Sequence, residues 1–164
     1  MEMKTAGVVE GLFVCVDKGL PMASVAHVRA IEGRGIQGDR YSLGRGKYSD
    51  KPGKERQISV ISVEAIDTAN RGLALQDQWL PEQTRRNIVV SGIDMSEEWL
   101  EYEPLMMIGS AVLQLTDNCR PCNRPDELAN KQGFAQAFHG LGGLRAVVLV
   151  SGDISVGDSV ELVK

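Results

Sequence analysis

Cysteine, histidine and aromatic residues are all scarce in this chain: three Cys, two His and 5% aromatics. A small, odd number of cysteines argues against a disulfide framework and in favour of thiol chemistry. No apolar run is long enough to span a bilayer. The opening MEMKTAGVVEG lacks the apolar stretch and small-residue cleavage site of a secretory signal. A cytoplasmic protein with no membrane partner is therefore expected. Phosphate-cradling G-x-x-x-x-G-K-[ST], G-x-S-x-G and H-E-x-x-H patterns are all missing. A net charge of −4 speaks against nucleic-acid binding.

With 164 residues, 43% of them hydrophobic, the chain suits a single domain over 1–164 with a real core. Its charge is unevenly spread. Eight Lys or Arg residues stand against four acids between Arg29 and Arg56, so that stretch carries +4 and the remainder −8. A positive patch on an acidic protein suits a small anion or an acidic partner, although a solvated loop would read the same way.

Strands are expected at Ala6–Val16, Val25–Ile31, Gln57–Ile61, Asn87–Val90, Met106–Ile108, Ala111–Thr116, Leu144–Val150 and Ser159–Val163. Ser62 is placed to cap a helix reaching Asn70 and stopping at Gly72. Ser96 is placed to cap a short acidic helix, and another short helix is expected near Phe134–Phe138. Gly33–Gly53 holds six of the 18 glycines and reads as a long loop. Many short strands with few, widely spaced helices predict a mainly β fold, a closed or nearly closed β-barrel, and exclude a doubly wound sheet.

The sharpest local feature is Cys119-Arg120-Pro121-Cys122-Asn123-Arg124-Pro125. Nearby cations favour thiolate over thiol, making a better nucleophile or metal ligand. A redox C-x-x-C pair would open a helix in a βαβ context, and a structural zinc site would need four ligands. The third reading is one reactive or ligating thiolate in an electropositive loop. Cys15, flanked by valines, reads as a small hydrophobe. His27 reads as structural, and His139, beside a glycine, is open. Arg85-Arg86-Asn87 opens a strand with planar donor forks suited to phosphate. Gly35-Ile36-Gln37-Gly38-Asp39-Arg40-Tyr41 offers tight backbone that a ligand can approach.

Taken in order, GIQGDRY (35–41), RQISVISVEAI (56–66), RRNIVVSGID (85–94), IGSAVLQLTDNCRPC (108–122) and FHGLGGLRAVVLVSGDISVGDSVEL (138–162) resemble the MOSC family, named after the C-terminal domain of molybdenum cofactor sulfurases. The chain closely resembles the short stand-alone bacterial members of that family. The resemblance implies a β-barrel whose functional cysteine, here Cys122, ligates the metal of a molybdenum cofactor (molybdopterin) or carries a persulfide. It also implies that Arg85 and Asn87 hold the pterin. Arg120, Arg40 and Arg145 are expected to converge on the same thiol. The implied roles are the molybdenum-bearing part of a reductase of N-hydroxylated compounds, or a sulfur carrier served by a cysteine desulfurase. No flavin or iron–sulfur module of the larger members is matched, so redox work would need an electron-donor protein. Cys119, Arg120 and the basic segment 45–56 depart from the family pattern.

Overall fold

A computed structural model of the chain describes residues 3–50 and 56–164. Eleven strands form among them: β1 Ala6–Val14, β2 Ala23–Val25, β3 His27–Ile31, β4 Gly35–Ile36, β5 Ile58–Ser62, β6 Ile88–Ser91, β7 Leu105–Ile108, β8 Ala111–Asn118, β9 Leu144–Val150, β10 Gly152–Ser155 and β11 Ser159–Val163. Three short helices accompany them: α1 Val63–Asn70, α2 Arg124–Ala129 and α3 Phe134–Ala137.

Seven strands close into a barrel in the order β11-β7-β8-β9-β5-β6-β1, with β11 pairing back onto β1 and β2 hanging on the outside of β1. Only the β5–β6 pair of the barrel is parallel, and α1 lies in the crossover between them. β3, β4 and β10 form a separate small sheet.

Alternation explains what fills the interior. Ile58 and Val60 of β5 and Leu144, Ala146 and Val148 of β9 point inward, together with Leu113 and Leu115 of β8. In β1 the inward pair is Val9 and Leu12, a spacing of three that a plain strand cannot give. A register shift between Val9 and Gly11 supplies the extra residue. A second cluster covers the outer face of β1, β5 and β6. Phe13, Ile61 and Val89 pack there beneath α1, Trp79 and α3. Phe134 lies between Trp79 and Phe138, at ring separations of 5.1 and 4.4 Å. β6 is thus buried on both faces, which is why Ile88, Val89 and Val90 form an unbroken apolar run.

The mainly β, closed-barrel expectation is met. Ser62 caps α1 as expected, its Oγ accepting from the Ala65 amide at 3.1 Å. Ser96 instead precedes a 3-10 turn, Glu97–Tyr102, and makes no capping bond. Val25–Ile31 is two strands broken at Ala26. The loop expected over Gly33–Gly53 begins with the short β4, and its last three positions lie outside the described residues. α2 and β10 were not anticipated. No helix of the described residues is long and apolar enough to cross a membrane.

Gly143 sits where β9 meets β5, at φ +84°, and a Cβ there would collide with the Val60 carbonyl oxygen. Gly143→Ala is expected to cost about 2–4 kcal/mol from left-handed strain and overpacking together. Urea unfolding monitored by circular dichroism would measure it.

Candidate functional site

Nine of the eighteen Lys and Arg residues line one cavity of about 290 Å³. No Asp or Glu lines it among the described residues. It is not the lumen of the barrel, which is full of side chains. Ser59 and Arg145 alternate with core residues of β5 and β9, so both project from the outer wall. They are cross-strand partners there, and Arg145 also pairs with Asp117 of β8. Cys122 lines the same cavity from the loop that follows β8.

The floor is a layer of buried polar groups. The 3-10 turn Pro81–Thr84 ends with Arg85 in the left-handed region, at φ 63°, which sends the neighbouring arginines in different directions. Arg85 donates to the Leu20 carbonyl at 2.7 Å, the Lys18 carbonyl at 3.2 Å and the Cys15 sulfur at 3.4 Å. Arg86 donates to the carbonyls of Gly142 at 2.8 Å, Thr84 at 3.2 Å and Cys119 at 3.2 Å. Asn87 accepts from the Ser59 amide at 3.2 Å and donates to the Phe13 carbonyl at 3.1 Å. Arg40 donates to the Arg85 carbonyl at 3.2 Å and pairs with Asp39 at 3.3 Å. Burial holds the Arg85 pKa below its ordinary value, and the neighbouring Arg40 charge adds to this. The donors of this layer are taken up by backbone, sulfur and Asp39.

A second layer faces the opening. Cys122 is partly exposed, whereas Cys119 and Cys15 are buried. The Tyr48 hydroxyl lies 3.7 Å from the Cys122 sulfur. Arg56 stacks over the Tyr48 ring at 5.0 Å, and Lys47 lies 5.8 Å from it. Desolvation raises the Tyr48 pKa, with the hydrogen bond to Cys122 as a smaller cause. Arg120 is exposed at the rim. Arg145 reaches Asp117 at 3.7 Å. Arg124 donates to the Lys18 carbonyl at 3.0 Å and pairs with Glu127 at 3.1 Å. Among the described residues, the Nε atoms of Arg56 and Arg124 are buried and find no acceptor.

All six residues singled out in the sequence (Cys122, Arg85, Asn87, Arg120, Arg40 and Arg145) line this cavity. Five further cations line it: Arg86 and Arg124, named above within the Arg-Arg-Asn and cysteine motifs, Lys47 and Arg56 of the basic stretch, and Lys18. Arg86, offered by the sequence beside Arg85 as a donor fork suited to phosphate, instead donates to the carbonyls of Gly142 and Cys119. Tyr48 had no sequence signal at all. His27 and His139 are both exposed and lie outside the cavity lining. No group of three His, Cys, Asp or Glu residues that could hold a metal ion occurs among the described residues. Any metal here would bring most of its own ligands.

The family model described as the MOSC domain matches residues 40–161. The chain belongs to the MOSC domain family. No curated protein matches it. Its fold is similar to that of the YuaD protein from Bacillus subtilis, with TM-score 0.78 and 23% identity over 99% of this chain and 98% of that one. YiiM from Escherichia coli gives TM-score 0.64 and 18% identity over 100% and 71% of the two chains. YiiM from Geobacillus stearothermophilus gives 0.65 and 16% over 99% and 76%. At such identities these likenesses speak to fold.

MOSC domains are associated with the molybdenum cofactor, a phosphate-bearing pterin whose metal takes sulfur ligands. The donor set of this MOSC domain fits such a group. Among the described residues, cations face the cavity without a carboxylate, two buried guanidinium nitrogens find no acceptor, and one thiol is open to it.

The two layers should respond differently to mutation. Arg86→Met leaves three carbonyls without their donor and is expected to cost about 3–5 kcal/mol. Arg120→Ala, at the exposed rim, should stay within about 0.5 kcal/mol of the parent. Chemical denaturation of both variants would check this. In a phenolate absorbance titration, the component lost in Tyr48→Phe should have its midpoint above that of a free tyrosine, as the desolvated hydroxyl requires.

Proposed function

We infer that this MOSC domain holds an anionic molybdenum cofactor in the cationic cavity, with the Cys122 sulfur directed at the metal. The observation that carries this is the one-sided charge around a partly exposed thiol: nine cations and no carboxylate lining a cavity of about 290 Å³ among the described residues. That volume is at the lower end for small-ligand sites. Arg120, Lys18 and Arg56 provide donors for a phosphate, each charge-assisted bond contributing about 1.5–3 kcal/mol. Arg85, Asn87 and Arg40 fix the floor against which the ring system rests, and Arg145 adds positive field beside Asp117. When bound, the cofactor would supply two-electron redox chemistry, which fits reduction of N-hydroxylated compounds with electrons drawn from another protein.

A second reading is favoured by one observation: of the three free cysteines, Cys122 alone is partly exposed. Its thiolate could attack the outer sulfur of a desulfurase persulfide. The new S–S bond would form on Cys122 while the desulfurase cysteine leaves as thiolate, so no outside oxidant is needed. The surrounding cations would stabilise the resulting anionic persulfide.

Metal and pterin analysis separates the two. Protein purified from a host that makes the cofactor is expected to carry molybdenum and pterin near one per chain. Cys122→Ser should lose the molybdenum, and Cys119→Ser should keep it. Protein free of molybdenum and pterin, but bearing persulfide on Cys122 after incubation with a desulfurase and cysteine, would support the carrier instead.

A further inference from the structure

Tyr48 reaches the cavity from a turn whose hydrogen bonds do not involve its side chain. Gly46 donates to the Ser49 hydroxyl at 2.8 Å, Ser49 donates to the Gly46 carbonyl at 3.1 Å, and Arg45 donates to the Arg40 carbonyl at 2.7 Å. Cations outside the turn hold the ring: Arg56 stacks over it at 5.0 Å and donates weakly to the Tyr48 carbonyl at 3.5 Å, and Lys47 lies 5.8 Å from its centre. So placed, the hydroxyl donates to the Cys122 sulfur at 3.7 Å, a long bond that the large sulfur atom still permits. Among the described residues, Tyr48 is the one hydrogen-bond partner of that sulfur. A thiolate has lone pairs and no proton, so in the reactive form of Cys122 the hydroxyl must be the donor. A phenol is a weaker acid than a thiol, and the proton stays on oxygen.

We propose that Tyr48 is a positioning residue for Cys122: its hydroxyl holds the sulfur and draws off part of its negative charge, so that the thiolate in the cavity is both aimed and moderated. The role is the same whether the sulfur takes a metal or a second sulfur, and it rests on the reading that Cys122 is the working thiol of the cavity. A charge-assisted bond stabilises the thiolate more than the thioether that alkylation makes of it, because the sulfur loses its charge as the new bond forms. Removing the donor should therefore make the thiolate react faster. Tyr48→Phe removes the hydroxyl alone and leaves the ring between its cations, which separates the hydrogen bond from the surrounding charge.

Alkylation by two neutral reagents of unequal size reads this out. Iodoacetamide and the bulkier iodoacetanilide share one chemistry: an S–C bond forms as iodide leaves, any thiol proton passing to buffer. Rates at Cys122 are followed by fragment-ion mass spectrometry, which tells it from Cys119, at a pH where they no longer rise. In folded Tyr48→Phe both limiting rates are expected to be about threefold to tenfold above those of the wild-type protein, with the two factors agreeing within about twofold. In urea-unfolded chains the variant and the wild-type protein should react alike. Equal limiting rates in the two folded proteins would overturn the proposal. So would a gain confined to iodoacetanilide, which is what a wider opening alone would give, and so would a gain that persists in the unfolded chain. None of these results depends on the molybdenum and pterin analysis, which tests the cofactor reading by itself.

Discussion

The side chain of Asp39 is fully buried, and much of the site hangs on it. One carboxylate oxygen accepts from the Cys15 amide at 3.1 Å and from Arg40 at 3.3 Å, and the other accepts from the Tyr41 amide at 3.4 Å. It thereby joins the end of β1 to segment 39–50 and holds Arg40 beneath Arg85. Three guanidinium groups are buried at this floor, on Arg40, Arg85 and Arg86, and Asp39 is the one carboxylate buried with them among the described residues. Buried charge is costly unless it is paired and hydrogen-bonded. Backbone carbonyls and sulfur satisfy the donors, but they do not neutralise the charge. The floor keeps a positive excess, and the cavity above it is a place where an anion is stabilised.

That excess divides the cations by job. Arg85, Arg86 and Arg40 act through the chain they tie together: the turn at Lys18–Leu20, the carbonyls of Gly142 and Cys119, and each other. Their charge reaches the cavity as field more than as free hydrogen-bond donors. In the proposed site, Lys18, Arg120 and the guanidinium groups of Arg56 and Arg124 would supply the donors. Because Arg86 binds the Cys119 carbonyl, the cysteine segment is anchored at its buried thiol, and the loop that follows carries Cys122 into the opening.

Much of the barrel was legible because its strands obey simple periods. Leu144–Val150 is apolar but for Arg145 and reads as a buried strand, and in Gln57–Ile61 the alternate residues Ile58 and Val60 mark the inward face. α2 was missed although its signals were present, with Asn123 before it, Pro125 near its start and Asp126 in its first turn. The neighbouring cysteines drew that stretch toward a loop. β10 is a four-residue strand whose pairing with β3 spans more than a hundred residues, and no local pattern encodes it. At the site, residues carried by strands or by a family motif could be named in advance. Tyr48 and Lys18 could not, because each reaches the cavity from an aperiodic turn whose path is set by distant contacts with Arg56, Arg85 and Arg124.

The central claim is that the cavity is built for a phosphate-bearing anion. Calorimetric titration with a phosphorylated pterin, at low and at high salt and beside its dephosphorylated counterpart, tests this most directly. The account predicts one site per chain, affinity that falls as salt rises, and much weaker binding of the dephosphorylated compound. Equal affinity for the two pterins, or binding indifferent to salt, would contradict it.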